Sequence, residues 1–566
     1  MKQHKYYLVW QRYRKLWRLY WLPWSIIALG IILRLDQYLF NRSLWLDEAF
    51  FAVNIVDRSF LELLKAPLEY TSYARPPGFM LLAKLSVLLF GNSEFSLRLV
   101  PFLCGLSSLI LFRRLARAYI SKPAVSLALF FFAISDALIF YATEFKQYSS
   151  DVLVVITLGL LAARYQNKPL TSRRLITLAM GGMLAIWFSF TSVFILAGIG
   201  LVLATPFLIR KQWGPVFKLG TVFLFWLGHF AVLYHYFIHV STPVDRWMHQ
   251  FWVVENAFGP PNISLETGLW FYNRFLQILA NPGGLGSIRL AGLVGLQLAS
   301  LGVIIGCIAL LIERKPTLIL VSLPAGLALG AAGLHLYPFS GRMLLFLTPM
   351  LYLVLAEGIS KIQINLPLSA ASRQCCQAVL PGSASRQCFQ AVLPKIILIS
   401  FFVFFPVSRA IWHWFHPRVM QEIKPVLAYV DQRRQRNDIV YLYYWAEPAF
   451  RYYAPAYGFH FADCRSINPV PANAYIKEVD YYRQKRPMQP AAVETTRCIL
   501  GIAETWQQAR PDLELLQGHG RIWFVFAHIN EPEQQLFLHD LNARGTQLDH
   551  YEQPGAAAYL YHLPDS

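Results

Sequence analysis

The sequence predicts a polytopic α-helical membrane protein, with about 11 transmembrane helices, that ends in an extracytoplasmic α/β domain. Three observations predict it. Of the 566 residues, 56% are hydrophobic and only 15% are charged, and the mean hydropathy is +0.39. That is too apolar for an ordinary soluble protein. Apolar runs near the roughly 20-residue spanning length recur through residues 1–416 and stop there. Basic residues fall on alternate connections between those runs, as the positive-inside rule requires.

In chain order, the apolar runs place spans at 22–40, 93–112, 123–142, 147–164, 174–190, 192–209, 217–239, 288–311, 317–336, 343–360 and 395–414. A shorter run at 77–90 reads as a bent helix continuing into the second span. Lys2 to Arg18, Arg113/Arg114/Arg117/Lys122, Lys168/Arg173/Arg174, Arg210/Lys211/Lys218, Arg314/Lys315 and the loop from Lys361 to Lys395 are the basic connections. They place the N-terminus in the cytoplasm. The 41–92 loop, the turn at Tyr141–Tyr148, the 240–287 loop, the turn at His335–Arg342 and the tail then lie outside, which makes this a multi-pass inner (plasma) membrane protein. The loop at 361–394 carries a short duplication. Ala371–Pro381 recurs as Ala384–Pro394 with one substitution, Cys376 against Phe389. Two copies are too few for a solenoid.

From 417 to 566 the long apolar runs end and charge density rises. Residues 419–435 read as an amphipathic helix, and Asp438–Tyr444 and Arg521–Phe526 as strands. A helix at 531–543 and a strand at Ala557–His562 follow. Alternating strands and helices predict a small α/β domain. It holds no Gly-rich phosphate loop, nucleophile elbow or zinc signature.

The net charge of +19 does not indicate nucleic acid, because the Lys and Arg lie mostly in short loops between apolar runs. No cysteine pair has metal-ligand spacing with His nearby. Cys464 and Cys498 can pair only if the tail is extracytoplasmic. The basic N-terminus leads into an apolar stretch broken by Arg34 and Asp36, without a small-residue cleavage site, so it does not read as a cleavable signal. His229, His235 and His239 read as interfacial. Asn262-Ile263-Ser264 is a glycosylation sequon, relevant only in a eukaryotic secretory setting.

The stretch Ser43-Leu44-Trp45-Leu46-Asp47-Glu48 stands out. Paired carboxylates beside a membrane are costly to desolvate and call for partners or a task. Two readings stand: a cap on an interfacial helix, or a base that deprotonates an acceptor hydroxyl. Arg75-Pro76-Pro77, then Glu144, Lys146, Tyr148 and Asp151, and later Arg342, are expected on the same side of the membrane. Arg suits phosphate through its fork of donors. Arg98 is expected to pair with Glu94, one helical turn away. Asp151 reads equally as a buried hydrogen-bonded carboxylate, and Arg342 as a snorkelling side chain.

These motifs carry a resemblance. Trp45-Leu46-Asp47-Glu48-Ala49 resembles the first extracytoplasmic loop of GT-C superfamily glycosyltransferases. The similarity is to bacterial relatives of the protein O-mannosyltransferases and of the lipid A aminoarabinose transferase. Arg75-Pro76-Pro77-Gly78-Phe79 resembles their basic-Pro-Pro segment, and Phe90–Leu99 the segment after it. Tyr141–Tyr148 resembles their second signature, with Lys146 where many members have Arg. The resemblance implies a GT-C-like fold and transfer of a sugar from a polyprenyl-phosphate donor on the outer face. The acceptor would be a lipid, a glycan or a protein. It makes Asp47 the general base with Glu48 assisting or orienting it, and puts Arg75 near the donor phosphate. Glu144, Lys146 and Tyr148 map to the second signature. No Asp-x-Asp lies in the outer loops, so no obligatory metal is expected. The alternative is a transporter or flippase of lipid-linked sugars. It should show repeats of several helices, which the sequence lacks.

Overall fold

The computed structural model describes residues 21–65, 68–70, 76–166, 168–238, 243–260, 262, 264–287, 290–362, 383–468, 491–501 and 505–565, with side chains omitted at 243–247, 290–291 and 383–398. The chain divides into two compact units. One holds Met1–Leu39, Val100–Tyr234 and Phe251–Pro417. The other holds Phe40–Leu99, His235–Gln250 and Arg418–Ser566.

The first unit is helical and carries most of the spans. Among the described residues of the whole chain, eight helices are long and apolar enough to cross a membrane: Leu22–Leu39, Glu94–Tyr119, Tyr148–Tyr165, Ser192–Ile209, Trp213–Phe237, Gly292–Glu313, Lys315–Gly333 and Gly341–Lys361. All eight coincide with expected spans. Three expectations change. The span placed at 123–142 is two helices, Lys122–Ile134 and Asp136–Tyr141. At the break, Ser135 caps the second helix by accepting from the Leu138 N–H (3.4 Å). The freed carbonyls of the first helix need donors, and the buried Arg34 supplies them. Its guanidinium donates to Ala133 O at 2.9 Å and Phe132 O at 3.2 Å. Second, the run at 77–90 does not continue into the next span. Helix Pro77–Phe90 ends at Gly91, whose φ of 84° suits glycine, and a new helix starts at Glu94. Third, the last helix, Ser383–Phe415, begins before residue 395. The first copy of the duplicated segment lies outside the described residues.

Helices Leu290–Glu313 and Thr348–Lys361 cross closely. A Cβ on Gly358 would lie 1.8 Å from Gly302 O, and one on Gly306 would lie 2.0 Å from Val354 O. Small residues spaced Gly302-x-x-x-Gly306 let the two backbones meet, as in membrane helix packing generally.

The second unit carries a five-stranded sheet. Its strands are β1 (Ile439–Leu442), β2 (Cys498–Leu500), β3 (Gly520–Ala527), β4 (Thr546–Gln553) and β5 (Ala556–Leu563). Their order is β2-β1-β3-β5-β4. β1 runs parallel to both β2 and β3, and β5 is antiparallel to β3 and β4. The three strands read from sequence appear, with helices Ile423–Arg433 and Glu531–Arg544. β2, β4 and helix Trp506–Leu515 had no sequence signal. Trp523, Phe524, Phe526 and Tyr561 are fully buried in the core. Asp438 accepts from Arg521 Nε (2.9 Å) and Trp523 Nε1 (3.1 Å). Cys464 and Cys498 form a disulfide.

Candidate active site

Asp47 and Glu48 lie in the second unit, in the first turn of helix Leu46–Asp57. Carboxylates are favoured there by the helix dipole. Glu48 is fully buried, while Asp47 keeps 8% exposure. Glu48 accepts from Arg98 Nε (2.9 Å) and Nη2 (2.6 Å), a two-pronged charged pair. It also receives the Trp45 N–H at 3.4 Å. The rest of the Arg98 fork reaches Arg42 O and Ser43 O. This corrects the expected Arg98–Glu94 pair. Glu94 instead meets Lys424 Nζ at 2.7 Å and the Tyr453 hydroxyl at 3.0 Å. A burial-matched partner 50 residues away outcompetes the neighbour one turn along. At the far end of the Asp47 helix, Lys84 Nζ donates to Ile55 O (2.9 Å) and Val56 O (3.1 Å), closing its last turn. Arg75 lies outside the described residues.

Glu144, Lys146, Tyr148, Asp151 and Arg342 lie in the first unit. The Glu144–Lys146 segment is the turn between helices Asp136–Tyr141 and Tyr148–Tyr165. Hydroxyls fasten it. Thr143 Oγ1 donates to Phe140 O (3.0 Å), Ser149 Oγ to Tyr141 O (2.9 Å) and Ser150 Oγ to Gln147 O (2.6 Å). Glu144 is fully buried, and Lys146, Tyr148 and Asp151 are below one-tenth exposed. Asp151 is buried close to Ser189, and its Oδ1 has no hydrogen-bond partner among the described residues. Helix Tyr148–Tyr165 packs on the 3₁₀ turn Gly341–Leu347 that carries Arg342. Tyr337, just before that turn, is buried, and its hydroxyl donates to Met343 O at 2.6 Å. Burial, with Asp151 and Tyr148 as neighbours, holds its phenol well above the ordinary range, so it remains a donor. The structure therefore gathers the second signature and the Arg342 turn.

One residue escaped the sequence reading. Arg274 sits on helix Leu265–Ala280, within the 240–287 loop. It lines a cavity of about 280 Å³ whose other walls are almost wholly apolar, among them Phe275, Val303, Ala325, Phe339, Leu347 and Leu351. Arg274 is 9% exposed, and its Nε and Nη1 have no hydrogen-bond partner among the described residues. Burial lowers its pKa, and attraction to Glu255 offsets part of that. Gln277, one turn further on, donates to Ser340 Oγ at 3.3 Å, which ties this helix to the Arg342 turn. The only sequence signal was a lone charge inside Trp270-Phe271-Tyr272-Asn273-Arg274-Phe275, a pattern that reads as an interfacial helix.

Residues 74–235, less than a third of the chain, match the family model described as dolichyl-phosphate-mannose-protein mannosyltransferase. No curated protein matches the sequence. Among solved structures, ArnT from Cupriavidus metallidurans bound to undecaprenyl phosphate is similar at 12% identity and a TM-score of 0.50, over 95% of this chain and 97% of that one. The archaeal oligosaccharyltransferase AglB from Archaeoglobus fulgidus, in complex with an inhibitory peptide and a dolichol-phosphate, aligns at 11% identity and a TM-score of 0.47, over 96% of this chain and 74% of that one. At such identities the ArnT likeness shows the fold. The family match over 74–235 and the shared fold both agree with the resemblance to GT-C superfamily glycosyltransferases.

Proposed function

We propose that this chain transfers a sugar from a polyprenyl-phosphate donor to an acceptor on the extracytoplasmic side of the membrane. The observation that carries the reading is the apolar cavity with Arg274 in its wall. A polyprenyl phosphate has a long hydrocarbon tail and an anionic head. Apolar walls suit the tail, and a desolvated guanidinium with unused donors suits the phosphate. The ArnT structure is described as bound to undecaprenyl phosphate, a ligand of this class.

Asp47 is assigned the general base. Its carboxylate takes the proton of an acceptor hydroxyl as that oxygen bonds to the anomeric carbon. The bond from that carbon to the phosphate oxygen breaks, and the polyprenyl phosphate leaves with the bonding pair. Configuration at the carbon inverts. Arg75, Lys146 and Arg342 are assigned to the phosphate with Arg274, and Glu144 and Tyr148 to substrate binding. Glu48, committed to Arg98, orients the helix rather than sharing the proton. Cationic side chains take the charge-neutralising role a divalent ion could play, so turnover should survive chelation with EDTA. The test uses proteoliposomes loaded with labelled polyprenyl-phosphate sugars. Movement of label onto an acceptor supports the transferase. Label that crosses the bilayer while staying on its lipid supports a flippase and overturns this reading.

A further inference from the structure

The C-terminal sheet has parallel strands in the order β2-β1-β3. In an open α/β sheet the chain reverses direction of progress between β1 and β3, and ligands sit outside the carboxyl ends of the strands at that point. Here β1 ends at Leu442 and runs into Tyr444–Ala446, while β3 ends at Ala527 and runs into His528. His528 has a φ of 54°, a left-handed conformation rare for a residue with a Cβ. The position where a free ligand would be expected is met by the protein's own Asp47 segment. The Trp45 ring lies 6.3 Å from His528, and Phe50 lies 6.3 Å from Trp445. Helix Glu447–Tyr453, which follows β1, packs on helix Leu46–Asp57.

Hydrogen bonds fix the segment more tightly than the rings do. The Leu44 N–H donates to the Tyr453 hydroxyl at 2.8 Å. The Leu46 N–H donates to Gln421 Oε1 at 3.1 Å. Ser43 gives its N–H and its hydroxyl to the Glu422 carboxylate, at 3.1 and 2.9 Å. Tyr453 in turn donates to Glu94. The N–H groups at a helix start have no intrahelical acceptor, so outside acceptors decide where the helix begins. Asp47 is its second residue.

We infer that the carboxyl edge of the C-terminal sheet is a clamp on the Asp47 segment, with Gln421 and Tyr453 as positioning residues for the base. The inference rests on the assignment of Asp47 above. It gives the C-terminal unit a task in catalysis that needs no ligand of its own. An ångström of misplacement at a reacting group can lower turnover about 10²-fold.

The test uses the full-length protein in lipid nanodiscs, with Gln421→Ala, Gln421→Glu and Tyr453→Phe. Amide hydrogen exchange across 43–50 should accelerate about tenfold in Gln421→Ala and Tyr453→Phe, the loss of one buried hydrogen bond. Exchange in β1 and β3 should not change. With a labelled undecaprenyl-phosphate sugar that the wild type turns over, kcat should fall while KM holds. Gln421→Glu, which keeps an acceptor, should restore both readings. Unchanged exchange at 43–50 overturns the clamp. Exchange that accelerates equally in β1 and β3 also overturns it, because Gln421 and Tyr453 would then serve folding alone. If Asp47→Asn keeps full turnover while 43–50 still responds to Gln421→Ala, the base assignment falls and the clamp on the segment stands.

Discussion

Glu48 and Asp47 are adjacent, yet their surroundings divide the work between them. The Glu48 carboxylate is buried against Arg98, and removing one partner of such a pair leaves an uncompensated buried charge. Glu48→Ala should therefore cost about 3–5 kcal/mol of stability, read as a lowered thermal midpoint, and a normal midpoint would deny the pair any structural weight. Asp47 sits one residue earlier with some exposure and is not the cap, because Trp45 holds that position. Asp47→Asn keeps its shape and removes the proton acceptor. Turnover should fall by about 10²–10⁴-fold, while the lost dipole interaction costs only about 0.3–1 kcal/mol. Near wild-type turnover in purified Asp47→Asn would move the base role to another carboxylate, with Glu144 next to test. Arg274→Ala should weaken capture of undecaprenyl phosphate, since charge-assisted hydrogen bonds contribute about 1.5–3 kcal/mol each. Arg274→Lys should lose less. Equal binding in all three proteins would remove Arg274 from the donor site. The motif residues were legible because chemistry concentrates at short spacings, as in Trp45–Ala49 and Tyr141–Tyr148. Arg98 and Arg274 were not, because their environments are made by residues far away in sequence.

At the scale of elements, the apolar runs located the spans, and local sequence did not show how they break or meet. Ser135 interrupts a run that reads as one span, and the compensation is Arg34, about a hundred residues earlier. Nothing in 123–142 alone carries that information. The crossing of helices Leu290–Glu313 and Thr348–Lys361 depends equally on distant glycines. A Cβ at Gly358 meets backbone, Gly302 O at 1.8 Å and Gly306 N at 2.7 Å, which cannot rotate away as a side chain would. Gly358→Ala should force the helices apart and destabilise the membrane unit, with overpacking typically costing about 1–3 kcal/mol. Gly326→Ala, where an added Cβ meets nothing within 4 Å, serves as the control on a neighbouring helix. Comparable thermal midpoints for both variants in detergent would show that the close crossing is not needed. In the C-terminal sheet, β1, β3 and β5 were legible from their β-branched and aromatic residues. β2 has only three residues, and β4, Thr-Gln-Leu-Asp-His-Tyr-Glu-Gln, is a polar strand at the sheet's edge that hydropathy passes over.

At the scale of the molecule, orientation is the property on which every site assignment depends. The orientation proposed from the basic connections has the N-terminus in the cytoplasm and the C-terminal unit outside. The Cys464–Cys498 disulfide agrees with that orientation, because disulfides persist in oxidising compartments and are rare in the cytosol. The sequence left this pairing open, since the two cysteines are 34 residues apart and only the fold of β2 brings them together. The grouping of residues 40–99 with 418–566 was likewise invisible to a reading that follows the chain. It arises from contacts such as Ser43 to Glu422, which span 379 residues. Two measurements test the orientation together. Reporter fusions after residues 20 and 430 should report opposite sides of the membrane. In intact cells, a membrane-impermeant maleimide should fail to label Cys464 and Cys498 until a reductant is added, and should then label both. Reporters on the same side would overturn the alternation of the basic loops. Labelling of Cys464 and Cys498 only after the cells are permeabilised would put the C-terminal unit in the cytoplasm, and with it Asp47, which would end the case for transfer on the outer face.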